Sequence, residues 1–98
     1  MARFDVFRTA EGGLVVDFQA DILDYLQTRF VIPLMPPEVE PRQSQRLNPA
    51  FLIGEAQYVL YPQFAASVPE SELQGFVMSL ADQHFAIVDA FDMLTSGF

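Results

Sequence analysis

Val15-Val16-Asp17-Phe18-Gln19-Ala20-Asp21-Ile22-Leu23 and, after a short polar gap, Arg29-Phe30-Val31-Ile32-Pro33-Leu34 are two β-rich apolar runs around a linker, and they set the fold class as mainly β. Gln19 to Thr28 is polar enough for a connection, with room for one helical turn through Asp21 to Tyr25. Pro33 has no N–H to donate, which places its backbone at an edge or a bulge. Ile22 and Leu23 stand between the acids Asp21 and Asp24, an order that core packing alone does not call for. It reads as a binding edge, although continued strand alternation would turn one of the two inward.

Working outward, Arg3 to Arg8 alternates with Phe4 and Val6 on one face and Asp5 on the other, the period of a half-buried strand. Glu11-Gly12-Gly13 supplies turn residues and Leu14 to Phe18 returns, so a hairpin opens the chain. Arg29 to Met35 is the third strand. Pro36 to Asn48 carries Pro36, Pro37 and Pro41 among polar residues and is expected to be an exposed loop. Ala50 to Ile53 and Ala56 to Tyr61 read as strands joined at Gly54-Glu55, Phe64 to Val68 as a sixth, and Pro69 with Glu70 and Glu72 as one helical turn. The sheet is expected to end near Met78. From Leu80 the period becomes helical: Leu80, Ile87, Phe91 and Leu94 form a stripe widened by Phe85 and Val88, opposite Asp82, Asp89 and Asp92.

The chain has 98 residues, 51% of them apolar, which supports one core and a single domain over residues 1–98. Ten phenylalanines are a large volume for so small an interior. A Phe-rich core would absorb them, and so would a dimer interface. The net charge is −8, and all five basic residues are arginines: Arg3, Arg8, Arg29, Arg42 and Arg46. A broad cationic face cannot be assembled from these, which disfavours direct binding of nucleic acid. There is no cysteine, which removes disulfides, thiolate metal sites and a thiol nucleophile. No secretory core region opens the chain, and no apolar run approaches the roughly 18 residues of a membrane span, so no membrane role and a cytoplasmic location are expected.

Little here points to catalysis. His84, the only histidine, falls on the Leu80, Ile87, Phe91 stripe and reads as a core-edge residue, since a general base needs an orienting partner and a nucleophile. Asp82, Asp89 and Asp92 have the spacing of any solvated helix face rather than of a Mg²⁺ site. No glycine-rich phosphate loop, Ser-His-Asp set or metal-ligand cluster is evident in the sequence, and no cofactor or metal is expected.

The order Val16-Asp17-x-Gln19-x-Asp21-Ile22-Leu23-Asp24, followed by Arg29-x-Val31-Ile32-Pro33-Leu34, by Ser67-Val68-Pro69 and by Gly97, resembles the CcdB family, the toxin half of bacterial toxin-antitoxin pairs directed at DNA gyrase. The resemblance implies an SH3-like small barrel of the CcdB and MazF type with a C-terminal helix, a homodimer, and a non-enzymatic toxin. Such a toxin binds the gyrase A subunit and traps its cleaved DNA complex. It assigns gyrase binding to Ile22, Leu23, Asp92, Ser96, Gly97 and Phe98. Phe98 stands where the family ends in an aliphatic residue, Ser96 where tryptophan is usual, and Asp92 where asparagine is usual. It assigns contacts with a CcdA-like antitoxin to Thr9, Ala10, Glu11, Gly12 and Gly13 in the first hairpin and to Arg42, Gln43, Ser44 and Gln45 in the long loop. Two alternatives stay open: a MazF-like endoribonuclease, and a CcdB-fold protein that has lost gyrase activity.

Overall fold

The computed structural model of the chain describes residues 1–97. Seven strands, β1 (Asp5–Thr9), β2 (Leu14–Asp17), β3 (Thr28–Met35), β4 (Ala50–Ile53), β5 (Ala56–Leu60), β6 (Ala66–Pro69) and β7 (Leu73–Ser79), precede one helix, α1 (His84–Ser96). All pairings are antiparallel and run in the order β4-β5-β3-β2-β1-β7, with β6 also on β3. The result is a curled half-barrel capped by the helix.

The eight-residue β3 holds the sheet together because two strands share its outer edge. β6 pairs with its first half, from Thr28 to Val31, and β5 with its end, at Leu34 and Met35. Pro33 sits where one neighbour gives way to the other, with its carbonyl accepting from Tyr61 N at 3.0 Å. A residue without an N–H is tolerated there because only its carbonyl is used on that edge, the regular ladder with β5 beginning at Leu34.

Alternation along β2 and β3 divides the interior in two. Leu14, Val16, Ile32 and Leu34 face the helix and pack with Val6, Phe51, Leu60, Leu80, Ile87 and Ala90. Val15 and Val31 point to the other face, with Phe7 and Leu73. Phe18, Phe30 and Phe91 form an aromatic cluster under the helix, with ring centroids 4.9 to 6.5 Å apart. Several of the phenylalanines are thus absorbed internally.

Four elements differ from their sequence expectation. β1 starts at Asp5 because Phe4 adopts a left-handed φ of 74°, held between Asp17 O, which accepts from Phe4 N, and Leu80 N, which donates to Phe4 O. The sixth strand is displaced to Ala66–Pro69 because Pro62 opens a 3-10 turn over Pro62–Phe64. Leu73–Ser79 is a full edge strand with register shifts against β1. On α1 the buried stripe is Ile87 and Ala90, whereas Phe85 is 80% exposed and Leu94 also faces outward.

The long loop is exposed but pinned. Asn48, fully buried, donates to Leu60 O and Gln63 Oε1 at 3.0 Å each and accepts from Gln43 N at 2.9 Å, while Arg42 Nε donates to Asn48 O. Tyr61 Oη closes the set by donating to Glu40 O. Asn48→Ala removes the side-chain bonds to Leu60 O, Gln63 Oε1 and Gln43 N and should cost about 1–3 kcal/mol. A lowered melting temperature together with faster proteolysis between residues 36 and 48 would report it.

Candidate binding site

Ile22 and Leu23 lie on a 3-10 turn, Asp21–Leu23, and not on a strand. Strand alternation therefore does not apply to them, and both are exposed, Ile22 by 83% and Leu23 by 38%. Tyr25 and Leu26 continue the exposed apolar surface. An aliphatic side chain held in water on an ordered turn lacks a folding rationale and is a candidate contact surface.

The turn is held by a chain of polar contacts that begins in the interior. Asp17 and Arg29, across β2 and β3, are 0% and 1% exposed and form a forked pair, with Nε and Nη2 of Arg29 donating to Asp17 Oδ2 at 3.0 and 2.5 Å. Burial pushes the Asp17 carboxyl up, against the opposing pull of the Gln19 N–H and the Arg29 guanidinium. The other oxygen of Asp17 accepts from Gln19 N at 3.0 Å. The Gln19 side chain then accepts from Phe30 N at 2.9 Å and donates to Leu23 O at 2.8 Å. From the opposite side Arg3 N donates to Asp21 Oδ1 at 2.8 Å, and the Arg3 guanidinium lies 4.6 Å from the Phe18 ring centroid. Asp17, Gln19 and Arg29 were visible in the sequence only as members of a pattern. Their pairing was not, because it needs the β2–β3 register.

At the helix end, Asp92, Ser96 and Gly97 are exposed, and Ser96 Oγ donates to Asp92 O at 2.6 Å. Gly97 has φ 80° and ψ 15°, and its N–H donates to Met93 O at 3.0 Å. It is the left-handed residue that ends the helix, a conformation glycine adopts without penalty. Phe98 lies outside the described residues. Among the described residues no hydrogen bond, ion pair or ring contact joins the Asp21–Leu23 turn to Asp92, Ser96 or Gly97, so the structure orders each part separately.

Of the hairpin positions, Thr9 Oγ1 accepts from Gly13 N at 3.1 Å and Ala10 N donates to Glu72 O at 3.2 Å. Gly12 occupies the turn with φ 91°. Arg42, Gln43 and Gln45 are exposed on the long loop, while Ser44 Oγ accepts from Leu47 N. The arginines are dispersed. Arg29 is buried, Arg46 makes a forked pair with Asp89 at 2.8 and 2.9 Å, and Arg3 and Arg42 donate to backbone carbonyls. The Arg46 pair also holds the Asp89 carboxyl below its ordinary value. His84 Nδ1 lies 2.7 Å from Ala81 O, with the ring between Phe4 and Phe85. Among the described residues no helix is long and apolar enough to cross a membrane.

A family profile described as CcdB protein matches residues 3–97. The chain belongs to the CcdB family. The match spans both the turn at Asp21–Leu23 and the helix end, in agreement with the resemblance read from Val16 through Ser67-Val68-Pro69 to Gly97. No curated protein matches the chain in sequence. Among solved structures it superposes on an endoribonuclease from Mycobacterial species with a TM-score of 0.80 at 10% identity, covering 97% of this chain and 90% of that one. An endoribonuclease in complex with its cognate antitoxin, also from Mycobacterial species, gives 0.79 at 11% identity, covering 97% and 94%. These two likenesses establish the fold. The family match supports a toxin of the toxin-antitoxin kind.

Proposed function

We propose that the chain is a toxin that acts by binding the gyrase A subunit and trapping its cleaved DNA complex, without enzymatic chemistry of its own, and that a CcdA-like antitoxin neutralises it. The observation that carries this reading is the Ile22 side chain, 83% exposed on a turn tied back to the buried Asp17–Arg29 pair. Its pattern is that of an interface anchor, an apolar group presented by a rigid support.

The endoribonuclease reading draws on the fold likeness. Against it stands the disposition of the cations. RNA cleavage needs a groove that gathers positive charge around the scissile phosphate, and here Arg29 is buried, Arg46 is paired, and Arg3 and Arg42 serve backbone carbonyls, which leaves Arg8, exposed on β1, as one charge rather than a cluster. Purified protein should therefore inhibit gyrase supercoiling and raise gyrase-dependent DNA cleavage while leaving RNA intact. RNA cleavage with unaffected gyrase would reverse the ranking.

A homodimer is part of the same proposal. β4 and β7 are the free edges of the sheet path, and each carries an exposed large apolar residue, Leu52 on β4 and Phe76 on β7, as α1 does in Phe85, which a second copy would cover. Sedimentation at micromolar concentration should give twice the chain mass. A stable monomer would remove this part.

A further inference from the structure

The second interior face, formed by Val15, Val31 and Leu73, opens to solvent through a cavity of about 340 Å³. Its mouth lies between the first hairpin and the 3-10 turn Glu70–Glu72, which the bond from Ala10 N to Glu72 O ties together. The walls are aliphatic, from Val15, Val31, Val68 and Leu73, whereas the rim carries Thr9 and two carboxylates, Glu11 and Glu72. Among the described residues neither carboxylate has an ion-pair partner. A half-open pocket that sets buried aliphatic side chains beside two exposed carboxylates fits one kind of side chain, a long aliphatic stem carrying a cationic head.

We propose that this cavity takes an arginine or lysine side chain of a partner peptide, the stem against Val15, Val31, Val68 and Leu73 and the head between Glu11 and Glu72. The partner is the CcdA-like antitoxin of the preceding proposal, whose contacts the family resemblance assigns to the hairpin, and the inference rests on that reading for the partner's identity. It extends the contact surface beyond Thr9 to Gly13, onto β6 and the Glu70–Glu72 turn. The charge of the whole chain, −8, favours approach of a basic segment from any direction, and the cavity supplies the position at which it is fixed.

The test uses the full chain and two blocked tripeptides, leucyl-arginyl-leucine and leucyl-norleucyl-leucine, which differ by the cationic head. Titration followed by NMR should shift the amides of Thr9, Glu11 and Leu73. The arginine peptide should bind about fivefold more tightly at low salt, a preference of the size two solvent-exposed ion pairs provide. Glu11→Gln with Glu72→Gln should abolish that preference without altering the melting temperature. Equal affinity for the two peptides, or shifts confined to other surfaces, would overturn the cavity assignment. The protein encoded beside this chain, added as competitor, separates the two readings. If it displaces the arginine peptide the proposal holds in full. If the arginine preference stands but the neighbour neither binds nor competes, the antitoxin identity fails and the cation site remains. If the neighbour binds while the two peptides bind alike, the antitoxin reading survives and the cavity proposal falls.

Discussion

Arg29→Met is expected to cost about 3–5 kcal/mol, a large share of the roughly 5–15 kcal/mol that stabilises a domain of this size. The loss comes less from the pair's own strength than from what remains. Asp17, fully buried, would face an apolar interior with only the Gln19 N–H on its second oxygen, and its carboxyl, already pushed up by burial, would be driven to take a proton. Asp17→Leu combined with Arg29→Met removes both charges and should recover most of the stability, since well-packed apolar replacements of buried pairs are often neutral. Urea unfolding of the two variants would show this directly. Function should not recover with the fold: without Asp17 the Gln19 N–H loses its acceptor and the support under Leu23 loosens, so the double variant should remain a weak gyrase inhibitor. If it inhibits like the parent, the pair serves stability alone.

The same pair shows what the sequence could and could not reveal. The hairpin, the strand from Arg29 to Met35 and the exposed proline-rich loop follow from alternation, glycine and proline, which act over a few residues. Pro33 was legible as a local anomaly, and its explanation, the handover from β6 to β5, is not local. Asp17 and Arg29 look like surface residues in any window of the chain. They become a buried pair only through the register that sets Asp17 opposite Val31. β7 escaped because Gly75 and the register shifts against β1 break its alternation. Phe85 joined the stripe on spacing, but it lies on α1 itself two residues before the buried Ile87, about 200° away around the helix, which leaves that ring outside. For the candidate site, the resemblance marked Ile22 and Leu23 as a pair. Only the Asp21–Leu23 turn explains why both escape burial.

Ile22→Asp should separate binding from folding. The side chain is 83% exposed and the turn's bonds come from Asp21, Gln19 and the backbone, so stability should change by no more than about 0.5 kcal/mol. At an interface anchor the same change buries a carboxylate where an aliphatic group had been, and it should remove about 2 kcal/mol or more of gyrase binding, roughly thirty-fold. Supercoiling inhibition should fall accordingly while the melting temperature and antitoxin binding hold. The helix end needs a different design, because Gly97 occupies a left-handed cap. Its replacement by alanine would strain the cap by about 1 kcal/mol and mix folding with function. Removing Phe98 alone spares that cap and isolates the terminal side chain, and Ser96→Trp adds an exposed ring without disturbing a buried contact. If both parts meet gyrase, loss of Phe98 should weaken inhibition and Ser96→Trp strengthen it, with the melting temperature near the parent's in each case. Unchanged gyrase inhibition by both Ile22→Asp and the Phe98 deletion would mean that neither the turn nor the tail is the gyrase-binding surface.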